Sequence, residues 1–213
     1  MNDIGYITVI GFTAQALFSA RMLLQWILSE KSKKSVSPVI YWQLSLLGSF
    51  LFFIYGWLRI DFALILGQLI SYYIYIWNLK MQNNWGKINV IIRRMILCTP
   101  VVIICWLLSI NEKEHIERLW KDIPFVLLLY GSIGQIIFTF RFIYQWWYSN
   151  KKGESLLPAG FWILSLAGSC WIISYGIMRK DIVLIIGQSF GFLTYARNLF
   201  IGKKSKHENI NNR

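Results

Sequence analysis

The sequence predicts an all-α integral membrane protein of seven transmembrane helices, in which one linker helix joins two parallel three-helix bundles. Three observations lead to this prediction: long apolar runs, an alternation of charge between the loops, and an internal repeat. Of the 213 residues, 56% are hydrophobic, which is more than ordinary soluble domains contain. A bilayer crossing takes roughly 20 residues, and seven apolar runs have about that length: 5–28, 39–58, 61–80, 91–110, 123–148, 159–178 and 181–200.

The charges of the loops predict the orientation. The formal net charge is +12, and in a membrane protein Lys and Arg collect in the cytoplasmic loops. Loops 29–37 and 80–94 are rich in Lys and Arg, whereas segment 111–122 has four acids against three bases. Basic loops therefore alternate with neutral or acidic ones, which places the N-terminus outside and the C-terminus inside. This explanation of the charge leaves no argument for nucleic acid as a partner.

An internal repeat divides the chain. A shift of 120 residues aligns 11–79 with 131–199 without a gap, and 27 of the 69 pairs are identical. Many identities are polar residues within apolar helices, which shared hydrophobicity alone would not produce. Because three helices are an odd number, the unmatched helix 91–110 is needed to make the units parallel, about a pseudo-twofold along the membrane normal. The predicted domains are a first unit at 5–80, a linker at 81–122, a second unit at 123–200 and a basic cytoplasmic tail at 201–213.

Repeated polar residues predict a ligand site between the units. A charge inside the bilayer costs at least a few kcal/mol, so it usually faces a cavity or a partner. Guanidinium groups match phosphate and carboxylate, so an anionic headgroup is the expected ligand of Arg21 and Arg141. The alternative is that both arginines snorkel to the interface. The candidate ligand-binding residues are Gln15, Arg21, Gln25, Trp42, Ser45, Gln68, Tyr75, Asn78, Gln135, Arg141, Gln145, Trp162, Ser165, Gln188, Tyr195, Arg197 and Asn198. Among them, the Gln and Asn side chains are expected to form hydrogen bonds with sugar hydroxyls, and the tryptophans are expected to stack on sugar faces.

A second repeated pattern, Arg59-x-Asp61 and Arg179-x-Asp181, is assigned to a tight structural turn. The aspartate is expected to cap the following helix, and the arginine to anchor at the headgroups. These are the only repeated acids, and no base, nucleophile or metal set accompanies them. The sequence therefore predicts that the chain is not an enzyme and needs neither a metal nor a cofactor.

The first unit contains Gln25-Trp26, Ser35, Pro38, Trp42-x-Leu44-Ser45-Leu46-x-Gly48-Ser49, Tyr55, Arg59-x-Asp61, Gly67-Gln68 and Tyr75-x-x-Asn78-Leu79. This pattern resembles the lipid A biosynthesis N-terminal domain family. The second unit keeps the Tyr-x-Arg-Asn-Leu ending of that family, whereas the first has Trp77 in place of Arg197. The plan is also similar to SWEET sugar transporters, PQ-loop proteins and the KDEL receptor, with which the family is grouped. The resemblance implies a setting of bacterial envelope glycolipids in the inner membrane.

Two functions follow as expectations. The first is a transporter or flippase for a glycolipid or a lipid-linked sugar phosphate, with the units rocking about a central site. The second is a non-transporting subunit or receptor that binds a glycolipid and serves an envelope glycosyltransferase. The expected partners are therefore membrane lipid, an anionic glycolipid or lipid-linked sugar, and, for the second function, a glycosyltransferase.

Overall fold

The computed structural model describes residues 2–33, 35–109 and 123–211. Within these ranges the chain is all-helical, with seven α-helices and no strand. They are α1 (Asn2–Ser32), α2 (Val39–Leu58), α3 (Phe62–Met81), α4 (Val90–Ser109), α5 (Phe125–Lys152), α6 (Ala159–Met178) and α7 (Ile182–Asn211), with a short 3-10 turn at Trp85–Lys87. Segment 110–122, which contains the predicted outer loop, lies outside the described residues.

Five helices, α1, α2, α3, α5 and α6, are long and apolar enough to cross a membrane. Of the other two, α4 carries Arg93 and Arg94 near its start, and α7 carries Gln188, Arg197 and Asn198. Length and composition thus support five of the seven crossings that the sequence predicts. The long apolar helices indicate a membrane-associated protein, and the described part of the chain is all-helical.

Six of the helices form a closed ring. In the first unit α2 packs against both α1 and α3, and in the second α6 packs against both α5 and α7. The units meet along two seams, where α3 contacts α5 and α1 contacts α7. Because α5 is the copy of α1 and α7 the copy of α3, these seams are equivalent. Helix α4 lies outside the ring and is hydrogen-bonded to α3.

The turns between α2 and α3 and between α6 and α7 share one geometry. The N–H of Ile60 donates to Trp57 O at 3.1 Å, and the N–H of Asp61 donates to Gly56 O at 2.9 Å. With Ile60 at a φ of 52°, this is a Schellman motif, in which a left-handed residue ends the helix. Lys180 repeats the arrangement with a φ of 50°. The motif places an aspartate directly at the start of the next helix in each unit.

Candidate functional site

A cavity of about 40 Å³ lies inside the ring, with room for roughly three water molecules. Most of its lining comes from α1, α3, α5 and α7, and Phe52 of α2 completes it. Eight of the seventeen candidate residues line it, as four pairs of copies: Gln15 and Gln135, Arg21 and Arg141, Gln68 and Gln188, and Tyr75 and Tyr195. The other nine candidates lie elsewhere, as described below.

The two cavity arginines are almost completely buried, with exposed fractions of 3% for Arg21 and 1% for Arg141. Nη1 of Arg21 donates to Ser45 Oγ, and Nη1 of Arg141 donates to Tyr195 Oη at 3.1 Å. Nε of each arginine is buried without a hydrogen-bond partner. Neither arginine forms an ion pair with a carboxylate of the described residues. The cavity therefore contains two buried positive charges without a counter-ion from that part of the chain.

Aromatic rings surround both guanidinium groups. Cζ of Arg21 lies 4.6 Å from the ring centroid of Phe18, and Cζ of Arg141 lies 3.4 Å from that of Phe138. Each such contact contributes about 0.5–2 kcal/mol, whereas the desolvation of an ion costs several kcal/mol. The rings therefore offset only part of the cost of burial, and a bound anion would offset more of it. Buried in this way, the arginines do not extend to the surface.

Two glutamines reach across the seams. A Cβ on Gly67 would lie 2.6 Å from Gln135 Oε1, and a Cβ on Gly187 would overlap the side chain of Gln15. Glycine is therefore what lets each glutamine approach the opposite helix so closely. Gln15 Nε2 and the Oε1 atoms of Gln68 and Gln188 are buried without hydrogen-bond partners. The cavity thus offers unused donors and acceptors beside its two cations.

Toward the basic end of the helices the cavity is closed by amide pairs that join the units. Gln25 Nε2 donates to Asn198 Oδ1 at 2.9 Å, and Gln145 Nε2 donates to Asn78 Oδ1 at 2.9 Å. We call these four residues the inner clasp. Each is at most 1% exposed. The sequence predicts that they contact a ligand, but the structure places them against one another.

We expect Gln145→Leu to lower the free energy of unfolding by about 1–3 kcal/mol, the net contribution of two buried hydrogen bonds. The amide of Asn78 both donates to and accepts from Gln145, and it would keep only its bonds to Ile74 O and Ser155 Oγ. Thermal unfolding in detergent, followed by intrinsic fluorescence, measures the loss. Gln43→Leu, a change at an exposed position of α2, is the control. Equal melting temperatures for the two variants would contradict this role.

Six residues close the opposite end, and we call them the outer clasp: Tyr55, Arg59, Asp61 and their copies Tyr175, Arg179, Asp181. Each tyrosine donates to the aspartate of the other unit at 2.8 Å. Each arginine lies near the same carboxylate, with Nε–Oδ2 distances of 3.6 Å for Arg59–Asp181 and 3.8 Å for Arg179–Asp61. The sequence predicts that the arginines anchor at headgroups, whereas in the structure they pair across the units.

The aspartates of the outer clasp also begin the helices that follow them. Asp61 Oδ1 accepts from the N–H of Leu64 at 3.1 Å, so Asp61 is an N-cap residue. Burial raises the pKa of Asp61, while the N–H of Leu64, the Arg179 guanidinium and the Tyr175 hydroxyl oppose that shift. The negative charge of Asp61 therefore depends on groups from both units. Tyr55 and Tyr175 belong to the repeated pattern, but they are not among the site residues that the sequence predicts.

We expect Gly131→Ala to weaken the outer clasp. A Cβ at Gly131 would lie 2.5 Å from a ring carbon of Tyr175, and the ring, unlike a long flexible side chain, cannot bend away. Tyr175 would then leave Asp61, and the melting temperature should fall by several degrees. The control is Gly5→Ala, because a Cβ at Gly5 meets nothing within 4 Å. A melting temperature that Gly131→Ala leaves unchanged would show that the ring has room to move.

The remaining candidates do not line the cavity. Trp42 and Trp162 are 0% and 1% exposed, so neither has a free face for a sugar. Ser165 donates to Phe161 O, and Ser45 accepts from Arg21. Arg197 is an exposed residue whose Nε donates to Glu30 Oε1 at 2.7 Å.

The chain matches the model of the Lipid A Biosynthesis N-terminal domain twice, over residues 10–80 and 130–200. Similar proteins include the lipid-A-disaccharide synthases of Chlamydia muridarum (27% identity over 92% of this chain), Chlamydia felis (27% over 95%) and Chlamydia caviae (28% over 92%). The aligned part is 34%, 34% and 33% of those proteins respectively, so the chain spans about a third of their length. No solved structure matches significantly.

These relatives correct one expectation. The sequence predicts that the chain is not an enzyme, because its polar residues form no catalytic set. The similar proteins are named for an enzyme and align over 92% or more of this chain, which contradicts that prediction. The prediction rested on residues within one segment, and a segment that serves an enzyme need not contain the reacting groups.

Proposed function

The chain belongs to the family of the Lipid A Biosynthesis N-terminal domain, and on that premise we propose that it binds the anionic headgroup of an envelope glycolipid between its two units and moves it across the membrane. The lipid is a glycolipid or a lipid-linked sugar that bears phosphate. The main support is the pair of buried arginines, Arg21 and Arg141, which face one cavity without a carboxylate partner among the described residues.

The two clasps support movement rather than static binding. A cavity of about 40 Å³ is too small for a sugar phosphate, so the two units must move apart before the headgroup can be bound between them. Each clasp consists of contacts between the units, so a rocking motion of one unit against the other would open one end while the other stays closed. Such motion about a central site is how transporters with internal repeats alternate their access.

The proposed setting is the bacterial inner membrane, crossed seven times, with the N-terminus outside. In this orientation the inner clasp lies on the cytoplasmic side, near the basic loops. The arginines then lie in the half of the protein that is closer to the cytoplasm. A phosphate-bearing headgroup made in the cytoplasm would reach them after the inner clasp opens.

The test is transbilayer movement in proteoliposomes. A fluorescent, lipid-linked sugar phosphate is placed in both leaflets, and a membrane-impermeant quencher reports how fast it exchanges between them. We expect exchange at least tenfold faster than in protein-free liposomes, and no acceleration for the double variant Arg21→Gln with Arg141→Gln. Exchange at the protein-free rate, for several such lipids and with bound lipid detected, would contradict transport.

The relatives favour a second candidate, in which the chain holds a glycolipid for the synthesis of a disaccharide. In these relatives, the third that aligns with this chain is part of the same polypeptide as the rest of a lipid-A-disaccharide synthase. Under this function, a lipid-linked sugar phosphate binds with the same dependence on Arg21 and Arg141 but does not change leaflet. The exchange assay separates the two, because only the first candidate accelerates it.

A further inference from the structure

Helix α4 has no copy in the second unit, and two tyrosines of α3 hold it. Pro100 lacks an N–H, so it cannot bond to the carbonyl of Ile96, four residues earlier. The hydroxyl of Tyr72 on α3 donates to that carbonyl at 2.8 Å. The copy of Tyr72 is Phe192, which has no hydroxyl to donate. Tyr72, together with Tyr73, whose hydroxyl donates to Leu97 O at 3.3 Å, therefore holds α4 to the outside of the ring at a point that only the first unit possesses.

An apolar groove of about 420 Å³ runs between α2, α3 and α4. Its wall on α3 extends from Tyr72 to Leu79 and its wall on α2 from Gln43 to Phe50, which is about 10 Å of helix. This is roughly a third of the hydrocarbon thickness of a bilayer. In the second unit, the position that corresponds to the groove residue Gln43 is Ile163. Its side chain is 54% exposed, so this face of the second unit is open where the first unit has its groove.

A small void lies between the groove and the central cavity. This void of about 10 Å³ between α2 and α3 is lined by Phe50 and Tyr72, which also line the groove, and by Gln68, which also lines the cavity. Gln68 Oε1 is buried there without a hydrogen-bond partner. The groove, the small void and the cavity thus follow one another between α2 and α3, separated by the side chains that they share.

The basic end of the groove complements an anionic headgroup. Lys80 follows the groove residue Leu79, and Lys87 precedes the groove residue Ile88. Arg93, one turn before Ile96, has a buried Nε without a hydrogen-bond partner. No acid occurs between residues 80 and 94. A lipid in this place would have its phosphate near these three basic residues and its chain against apolar walls.

We propose that the groove under α4 is a lateral entrance, in which an acyl chain of a phosphate-bearing lipid lies while its headgroup passes between α2 and α3 toward Gln68. This proposal rests on the proposed function, since it assumes that the central cavity receives the headgroup. It adds that the cargo keeps its chain in the membrane throughout. It also adds that entry occurs on one side of the ring only, because only the first unit is covered by α4.

The test uses photolabelling of the full chain in phosphatidylcholine vesicles. The probe is phosphatidic acid with a diazirine in one acyl chain, and labelled peptides are mapped by mass spectrometry. We expect the label on the groove walls of α2, α3 and α4. Leu46→Trp fills the groove and should reduce that labelling at least fivefold, whereas Leu166→Trp, the same change at the copied position, should not. Tyr72→Phe removes one of the two hydrogen bonds by which α3 holds α4. It should increase labelling near Gln68 at least twofold, and it keeps the test valid if Leu46→Trp does not fold.

Three outcomes would overturn the entrance. One is equal labelling by phosphatidylcholine that carries the same diazirine chain, since the basic end of the groove would then not distinguish an anionic headgroup from a zwitterionic one. The second is equal loss of labelling in Leu46→Trp and Leu166→Trp. The third is labelling near Gln68 that Tyr72→Phe leaves unchanged. A separate measurement tests the central site. A sugar phosphate without acyl chains should raise the melting temperature of Leu46→Trp as it does that of the parent chain, and should not raise that of Arg21→Gln. If it stabilises none of these proteins, the central site fails, whatever the labelling of the groove shows.

Discussion

Arg21→Gln and Arg141→Gln should each weaken the binding of a lipid-linked sugar phosphate by about 30-fold or more. Loss of one partner of a buried charge pair costs about 2–5 kcal/mol, and 1.4 kcal/mol corresponds to a factor of ten in affinity. The two losses should be similar, because both arginines line one cavity from copied positions. Native mass spectrometry of the purified protein with a dilution series of the lipid measures the change.

The same variants have a second expected property that separates binding from folding. In the empty cavity each guanidinium is a buried charge without a counter-ion among the described residues, so its replacement by a neutral side chain removes a desolvation cost. The melting temperature of the ligand-free variants should therefore be unchanged or higher. Arg197→Gln, which removes an arginine that is 52% exposed on its side chain, should change neither property. A lower melting temperature together with normal binding would mean that the arginines serve only the fold.

The double variant Asp61→Asn with Asp181→Asn should open the outer end of the cavity. It removes both carboxylates of the outer clasp, so both cross-unit ion pairs are lost and each tyrosine bonds to a weaker acceptor. The reporter is Ser19→Cys in a chain whose native cysteines have been replaced. Ser19 lines the cavity, and a membrane-impermeant maleimide should label it from outside at least tenfold faster in the double variant.

Two comparisons make this result specific. The single variants should show similar, smaller increases, because each removes one of two equivalent contacts. Gln145→Leu, which disturbs the inner clasp, should not raise labelling from the outside. Labelling that stays slow in the double variant would show that helix packing, not the clasp, closes this end.

The repeat made much of the site predictable. Identical polar residues at a fixed offset within apolar helices required a shared role, and depth along the helix placed Arg21 and Arg141 at one level. Both arginines are buried at one cavity, and their role in binding a ligand stays a prediction. The chain also belongs to the family that the repeated pattern resembles.

Which neighbour each side chain faces could not be predicted in the same way. Gln25 and Arg21 share one face of α1, yet Gln25 bonds to Asn198 while Arg21 lines the cavity. That difference depends on how closely α1 and α7 approach each other. The approach is close because α7 has a glycine, Gly187, where it faces Gln15 of α1. Likewise, Asp61 was assigned to a local turn, because a contact with Tyr175, 114 residues away, leaves no trace in local spacing.

The clasps have a consequence for the origin of the architecture. Each unit carries both members of every pair in them: the tyrosine and arginine with the aspartate, and the glutamine with the asparagine. Contacts of this kind define an isologous dimer interface, in which the same patch serves both partners. Fusion through α4 raises the effective concentration of one half for the other, so assembly no longer depends on protein concentration. It also freed the halves to diverge, and one seam now has Trp77 against Trp146 where the other has Arg197 against Glu30.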